Sequence, residues 1–269
     1  MSRLVLALRD TPAGRLDLTG LAPSRLVALA PAEIAREVVR GGDQPIPLGD
    51  IFRITGAPGA EIVIEGSMDA LDGVGAGLDG GTMIVEGDVG DHAAAAMTGG
   101  RLDIRGSAGH GLAAGLSGGL VTATGRAGDR VGGPRHGERF GMAGGMVLVG
   151  GDIGDRAGDR MRRGTIVVKG RCGTGAGSRM MGGTILTECG LGAMPGALMR
   201  RGTLITPSLD EIPATFADCG FHDLVTLRLL DRHFTAKLGP LAPPPLGPMV
   251  RKLMGDLATI GKGEILLTG

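Results

Sequence analysis

A phrase of nineteen residues recurs along the middle of this chain and constrains its fold more than any other feature. The phrase runs Met or Leu, two small or basic residues, Gly, then an alternating apolar stretch. Its glycine falls at Gly81, Gly100, Gly119, Gly145, Gly164, Gly183 and Gly202, so the steps are 19, 19, 26, 19, 19 and 19. A degenerate earlier copy, Glu61-Ile62-Val63-Ile64-Glu65 before Gly66, brings the number of copies to about eight.

Reading down equivalent positions gives columns of like residues. One holds Leu78, Met97, Leu116, Met142, Met161, Met180 and Met199. The first inward strand position holds Ile62, Met83, Leu102, Val121, Val147, Ile166, Ile185 and Leu204, and a second inward column follows two residues on, running from Ile64 to Thr187 and Thr206. A period of two is that of a strand with one face in a core. The second half of each copy reads G-x-x-G-x-x-x-(G/A), as in Gly151, Gly154 and Gly158. Glycine at a fixed corner signals a positive φ or a backbone too close to its neighbour for a Cβ. One turn of backbone per copy would stack the columns about 4.8 Å apart as continuous ladders. The expected fold class is all-β, a parallel β-helix of about eight coils. A left-handed hexapeptide helix needs coils in multiples of six, and nineteen is not one. Helical solenoids are excluded because residues 60–208 carry no apolar spacing of three and four.

Composition fits this reading. Glycine supplies 53 of the 269 residues, yet hydrophobic residues still make up 42%, so neither collagen nor disorder applies. Lys+Arg and Asp+Glu are both 28, and no basic run with interleaved aromatics is present, which argues against a nucleic-acid partner. Trp and Tyr are absent, removing the usual stacking platforms for flat ligands. No apolar run long enough for a membrane span occurs, and the opening MSRLVLALRDTPAG lacks a signal core and cleavage site; a cytoplasmic location is expected. Cys172, Cys189 and Cys219 are odd in number and form no C-x-x-C pair, so buried free thiols are expected.

The flanks differ from the repeats. Residues 1–50 are expected to cap the first coil, with an alternating stretch at Arg15–Leu18 and one short helix from Pro31, with Gly41 past its end. Residues 51–208 form the β-helix. Residues 209–269 carry an amphipathic helix over Asp223–Lys237, a Pro-rich extended arm over Gly239–Pro248, and two strands within Asp256–Leu267 around a Gly-Lys-Gly turn. A tail of this kind is expected to lie on a partner.

Candidate chemistry is sparse. Gly73-Val74-Gly75-Ala76-Gly77 and Gly173-Thr174-Gly175-Ala176-Gly177 look like phosphate loops, but no helix is expected after either, so they read as corners. The five histidines show no metal-ligand spacing; His92 and His110 fall at nearby positions of successive coils. No catalytic set and no metal or cofactor site is assigned to this chain. Two features exceed the bland expectation. The step of 26 contains a charged insertion over residues 133–140, with Arg135, His136, Glu138 and Arg139, and insertions in solenoids commonly serve binding. The outward strand column is mostly apolar: Val63, Ile84, Asp103, Thr122, Leu148, Val167, Leu186 and Ile205. A solvated face has no need of that. Either the tail helix or another subunit must cover it; the tail is short, so Ile84, Leu148, Val167 and Leu186 are read with the insertion as a partner interface.

The G-x-x-G-x-x-x-G coils, the M-x-G-G strand starts and Cys219-Gly220 before an apolar helix resemble the C subunit of formylmethanofuran dehydrogenase. The coils alone are also similar to the C-terminal domain of the glutamate synthase large subunit. With only four lysines among 28 basic residues, the composition looks most like the branch found in bacterial formyltransferase/hydrolase complexes. That resemblance implies a right-handed β-helix, in keeping with the usual hand of parallel crossovers. It also implies a cytoplasmic complex that moves a formyl group from tetrahydromethanopterin to methanofuran and hydrolyses it to formate. In the family, transferase and metal-dependent hydrolase sites lie on other subunits, so this chain is expected to be a non-catalytic scaffold. Membership of a molybdenum or tungsten dehydrogenase, and a glutamate synthase-like structural domain, remain the alternatives.

Overall fold

The eight apolar stretches form strands because each alternates inward and outward residues, and in seven of them a left-handed glycine, from Gly81 to Gly202, stands at or near the start. In the structure, a computed structural model describing residues 3–268, they are Glu61–Ser67, Thr82–Gly87, Arg101–Ile104, Leu120–Ala123, Ala143–Val149, Arg163–Val168, Thr184–Thr187 and Arg201–Thr206. They pair in sequence order, all parallel, and each inward residue faces its equivalent one copy on: Ile62 with Met83, Met83 with Leu102, Leu102 with Val121. The register carries across the insertion, with Val121 opposite Val147, and continues to Ile185 opposite Leu204. A slip of one residue would turn every inward side chain out of the core, which is why this register is fixed.

Five further strands complete a thirteen-stranded, parallel-rich sheet. Arg3–Leu8 adds in parallel to Glu61–Ser67, and Phe52–Gly56 closes that end antiparallel. At the other end Lys262–Leu267 adds in parallel to Arg201–Thr206, followed by Met249–Gly255 and Ala217–Asp223. Two more lines of main-chain contact run beside the sheet. One is a row of parallel bridges linking Val89, Ala108, Ala127, Ile153, Cys172, Leu191 and Leu209. The other follows the Met column: the N–H groups of Thr98, Ser117, Met181 and Arg200 donate to the carbonyls of Leu78, Met97, Met161 and Met180 at 2.8 to 2.9 Å. Between the three lines lies the core. Every member of the Met and Leu column is fully buried; each such side chain contributes roughly 1.5 to 3 kcal/mol.

The flanks depart from expectation in three places. In place of one short helix there are three single turns, Pro23–Leu26, Pro31–Ile34 and Leu48–Ile51; the helix from Pro31 ends at Ile34, and Val38–Gly41, with two β-branched residues, is a strand pairing with Leu16–Asp17 and Gln44–Pro47 in a small second sheet. The tail hairpin is shifted: its strands are Met249–Gly255 and Lys262–Leu267, and Asp256–Gly261 is the turn, pinned where Leu198 and Ala258 donate backbone N–H groups to the Asp256 carboxylate at 2.8 Å. That tail lies on its own chain, extending the sheet. The helix expected over Asp223–Lys237 forms at Val225–Leu238. No helix among the described residues is long and apolar enough to cross a membrane.

Candidate functional surfaces

The insertion forms an exposed loop, anchored where Arg139 and Arg162 lie over the Phe140 ring at 5.2 and 4.9 Å. Within it Arg135 pairs with Glu138, and the stem of Arg135 packs over Gly115, whose Cβ would stand 3.2 Å from it. Arg135, His136, Glu138 and Arg139 are all exposed. Beneath the loop is a cleft of about 420 Å³ whose walls carry His92, His110, Arg130, Arg156, Asp159, Arg160 and Arg179. The His92 and His110 rings meet edge to face, 5.9 Å between centroids, as their places in successive copies suggested. Asp159 is buried and takes both ends of the Arg179 guanidinium, at 2.9 and 2.7 Å.

The outward apolar column has a different fate. Leu148, Val167, Leu186 and Ile205 are buried in one cluster with Leu227, Phe234 and Leu238 of the C-terminal helix, and with Val250 and Leu266. A helix of 14 residues is about 21 Å long, enough to cross four strands spaced about 4.8 Å. Leu148, Val167 and Leu186 are therefore covered by the chain's own tail, which corrects their reading as a partner surface. Ile84 lies on the half of the column beyond the helix and is half-buried. The helix turns Val225 and Leu229 outward instead, 62% and 57% exposed, beside Phe221 and Met249 at 68% and 51%.

The remaining candidates resolve as structure. Gly73, Gly75 and Gly77 are left-handed corners, and the next element is the strand Thr82–Gly87; Gly175 and Gly177 precede Thr184–Thr187 in the same way. Cys172 is buried, and burial pushes its thiol up to about 12. Cys189 and Cys219 are exposed, against the expectation that all three thiols are buried; the corner that holds Cys189 faces outward. Among the described residues no group of three His, Cys, Asp or Glu is placed to hold a metal ion.

One set of residues escaped the sequence reading. Asp72, Asp88, Asp91, Asp129, Asp152 and Asp155 each accept, through Oδ1, a backbone N–H one copy on, at 2.6 to 2.8 Å. A carboxylate that satisfies a corner amide is an architectural part of the stack. Its trace in the sequence is Gly-Asp-x-Gly-Asp, at Gly87–Asp91 and Gly151–Asp155.

No family model matches the chain. Over 85 residues it is 40% identical to the C subunit of the formyltransferase/hydrolase complex (Fhc) of Methylorubrum extorquens, an alignment spanning 32% of this chain and 32% of that relative. The fold likeness runs end to end: the structure superposes with a TM-score of 0.92 and 38% identity on a chain of the crystal structure of the formyltransferase/hydrolase complex (FhcABCD) from Methylorubrum extorquens in complex with methylofuran, covering 98% of this chain and 99% of that one. Identity of that degree, held over the whole length of a solved chain, places this protein in the family of the C subunit of formyltransferase/hydrolase complexes.

Proposed function

We propose that this chain is a non-catalytic scaffold subunit on which the formyltransferase and metal-dependent hydrolase subunits of such a complex assemble. The observation that carries the reading is the end-to-end superposition on a chain of a four-subunit assembly. By that kinship, the assembly holding this chain works in the cytoplasm with a methanofuran-type carrier. It transfers formyl to that carrier from formyl-tetrahydromethanopterin and releases formate, the chemistry residing on the other subunits. The aspartates of the repeat support a structural role, since they are spent on backbone amides of the stack.

We read the sheet, the row of bridges and the Met-column hydrogen bonds as three walls of a right-handed parallel β-helix of about eight coils over residues 51–208. Support comes from the in-register return of equivalent residues every 19 positions. Residues 1–50 then act as the N-terminal cap and 209–269 as helix and tail; positions 1, 2 and 269 fall outside the described residues. Partner contacts are assigned to Arg135, His136, Glu138 and Arg139 of the loop, to Ile84, and to the exposed apolar residues Phe221, Val225, Leu229 and Met249 around the C-terminal helix.

Affinity purification of the tagged full-length chain from its source organism tests this. Co-elution of formyltransferase and hydrolase subunits is the expected result, with Val225→Glu/Leu229→Glu releasing at least one of them while the chain stays folded. Recovery of the wild-type chain alone, or viologen-dye reduction by the purified assembly, would overturn the reading, the second placing it in a redox complex.

A further inference from the structure

We propose that the cleft beneath the inserted loop binds a compact multivalent oxyanion, a small molecule carrying two or more phosphate or carboxylate groups. Its volume of about 420 Å³ falls within the range of ordinary small-ligand sites. Arg130, Arg135, Arg156, Arg160 and Arg179 line it against two carboxylates, Glu138 and Asp159. Those carboxylates are taken by Arg135 and Arg179. Arg130, Arg156 and Arg160 make no ion pair among the described residues; Arg160 donates only a long 3.5 Å bond to the Arg139 carbonyl. The nearby Asp129 and Asp155 direct Oδ1 at the N–H groups of Asp155 and Thr174, at 2.8 and 2.7 Å.

Two features separate these arginines from ordinary solvated ones. Arg130 and Arg156 sit one copy apart with φ of 58° and 56°, where Gly73, Gly111 and Gly175 stand in other copies. Left-handed backbone is unfavourable for a residue with a Cβ and free for glycine. Arg160 and Arg179 repeat the pattern at the next corner, at 51° and 55°. His92, Ala96, Met194 and Leu198 also adopt left-handed φ in these columns, so the corners admit a side chain. Under the loop, however, the chosen side chains are four cations in two pairs, each pair on backbones stacked about 4.8 Å apart, which adds mutual repulsion. An anion lying among them turns that repulsion into attraction.

The second feature is rigidity. Asp159, only 4% exposed although it lies in the cleft wall, fixes the Arg179 guanidinium through two bonds. A donor fork held before the ligand arrives loses little freedom on binding. The rings of His92, His110 and His136 add nitrogens at the rim.

Full-length wild-type chain is titrated calorimetrically at low salt with pyrophosphate and, separately, with citrate, alongside the Arg130→Gly/Arg156→Gly double variant. The wild type is expected to bind at least one probe. The double variant should bind it tenfold or more weakly, with its melting temperature unchanged or raised because the backbone is relieved. Tighter pyrophosphate binding assigns the site to phosphates, and tighter citrate binding to carboxylates. If the glycine variant melts lower, Arg130→Gln/Arg156→Gln must give the same loss. Absence of binding by both probes, or variant binding equal to wild type, overturns the proposal.

Discussion

The Cε methyl of Met161 fills the space that a Cβ on Gly183 would need, standing 2.7 Å from that position. The same relation joins Met97 to Gly119, Met142 to Gly164 and Met180 to Gly202. The methionine of one copy and the strand-leading glycine of the next are thus one packing unit. Gly183 also has φ of +99° and would set a Cβ 2.9 Å from the Gly164 carbonyl. Gly183→Ala should therefore cost about 3 kcal/mol. Gly137→Ala, at φ +77° in the open loop with nothing within 4 Å, should cost only about 1 kcal/mol. Urea unfolding of both variants checks this, and equal losses would contradict it.

The tail helix should behave as part of the core. Phe234 is 1% exposed in the cluster with Val167 and Leu186, so Phe234→Ala should lose about 3 to 5 kcal/mol and increase the fluorescence of a hydrophobic dye. Val225→Ser, on the exposed face, should change stability by less than about 0.5 kcal/mol. A Phe234→Ala protein as stable as wild type would mean that the helix does not hold this face.

Thiol chemistry should divide the cysteines. The thiolate is the reactive form, and burial pushes Cys172 up to about 12 while Cys189 and Cys219 are exposed. A disulfide-exchange reagent should modify two thiols rapidly in the native chain and the third only on unfolding. Rapid reaction of all three would refute the burial of Cys172.

Glu188 gives a pH dependence with a definite sign. Desolvation raises its carboxyl above the ordinary value of 4.5, the Lys169 charge opposing, and its buried Oε1 has no hydrogen-bond partner among the described residues. The folded state therefore holds this proton more tightly than the unfolded state. The stability contributed is fully present below the unfolded value and is lost as pH rises through the folded one. Glu188→Gln should stabilise the protein by about 1 kcal/mol near pH 7 and bring little gain below about pH 4. Melting curves at the two pH values check it; a gain of equal size at both would be wrong for this mechanism.

The repeat was legible because its causes are local. Ile62, Met83 and Leu102 announce an inward face by alternation alone, and the structure pairs them in the register their spacing implies. The Asp72-to-Asp155 carboxylates were missed because aspartate in a turn reads as solvated until the amide one copy away is known to lie above it. Helix and strand were confused at Val38–Gly41, where the choice depended on Leu16–Asp17, a distant pairing partner.

What covers Leu148, Val167 and Leu186 was likewise undecided by the residues themselves. Their apolar character demanded cover, but a proline-rich connection could carry the chain in many directions, and only the folded path brings Phe234 and Val250 over them. The sequence by itself determined the nineteen-residue return, the buried columns and the place of the insertion, because equivalent residues of successive copies pair side by side in one parallel sheet, so that local spacing becomes neighbouring position. Only the tertiary structure decided which surfaces stay free and that arginines of three successive copies share one cleft with Arg135 of the inserted loop. Those outcomes depend on contacts between segments far apart in the chain, for which no local period exists.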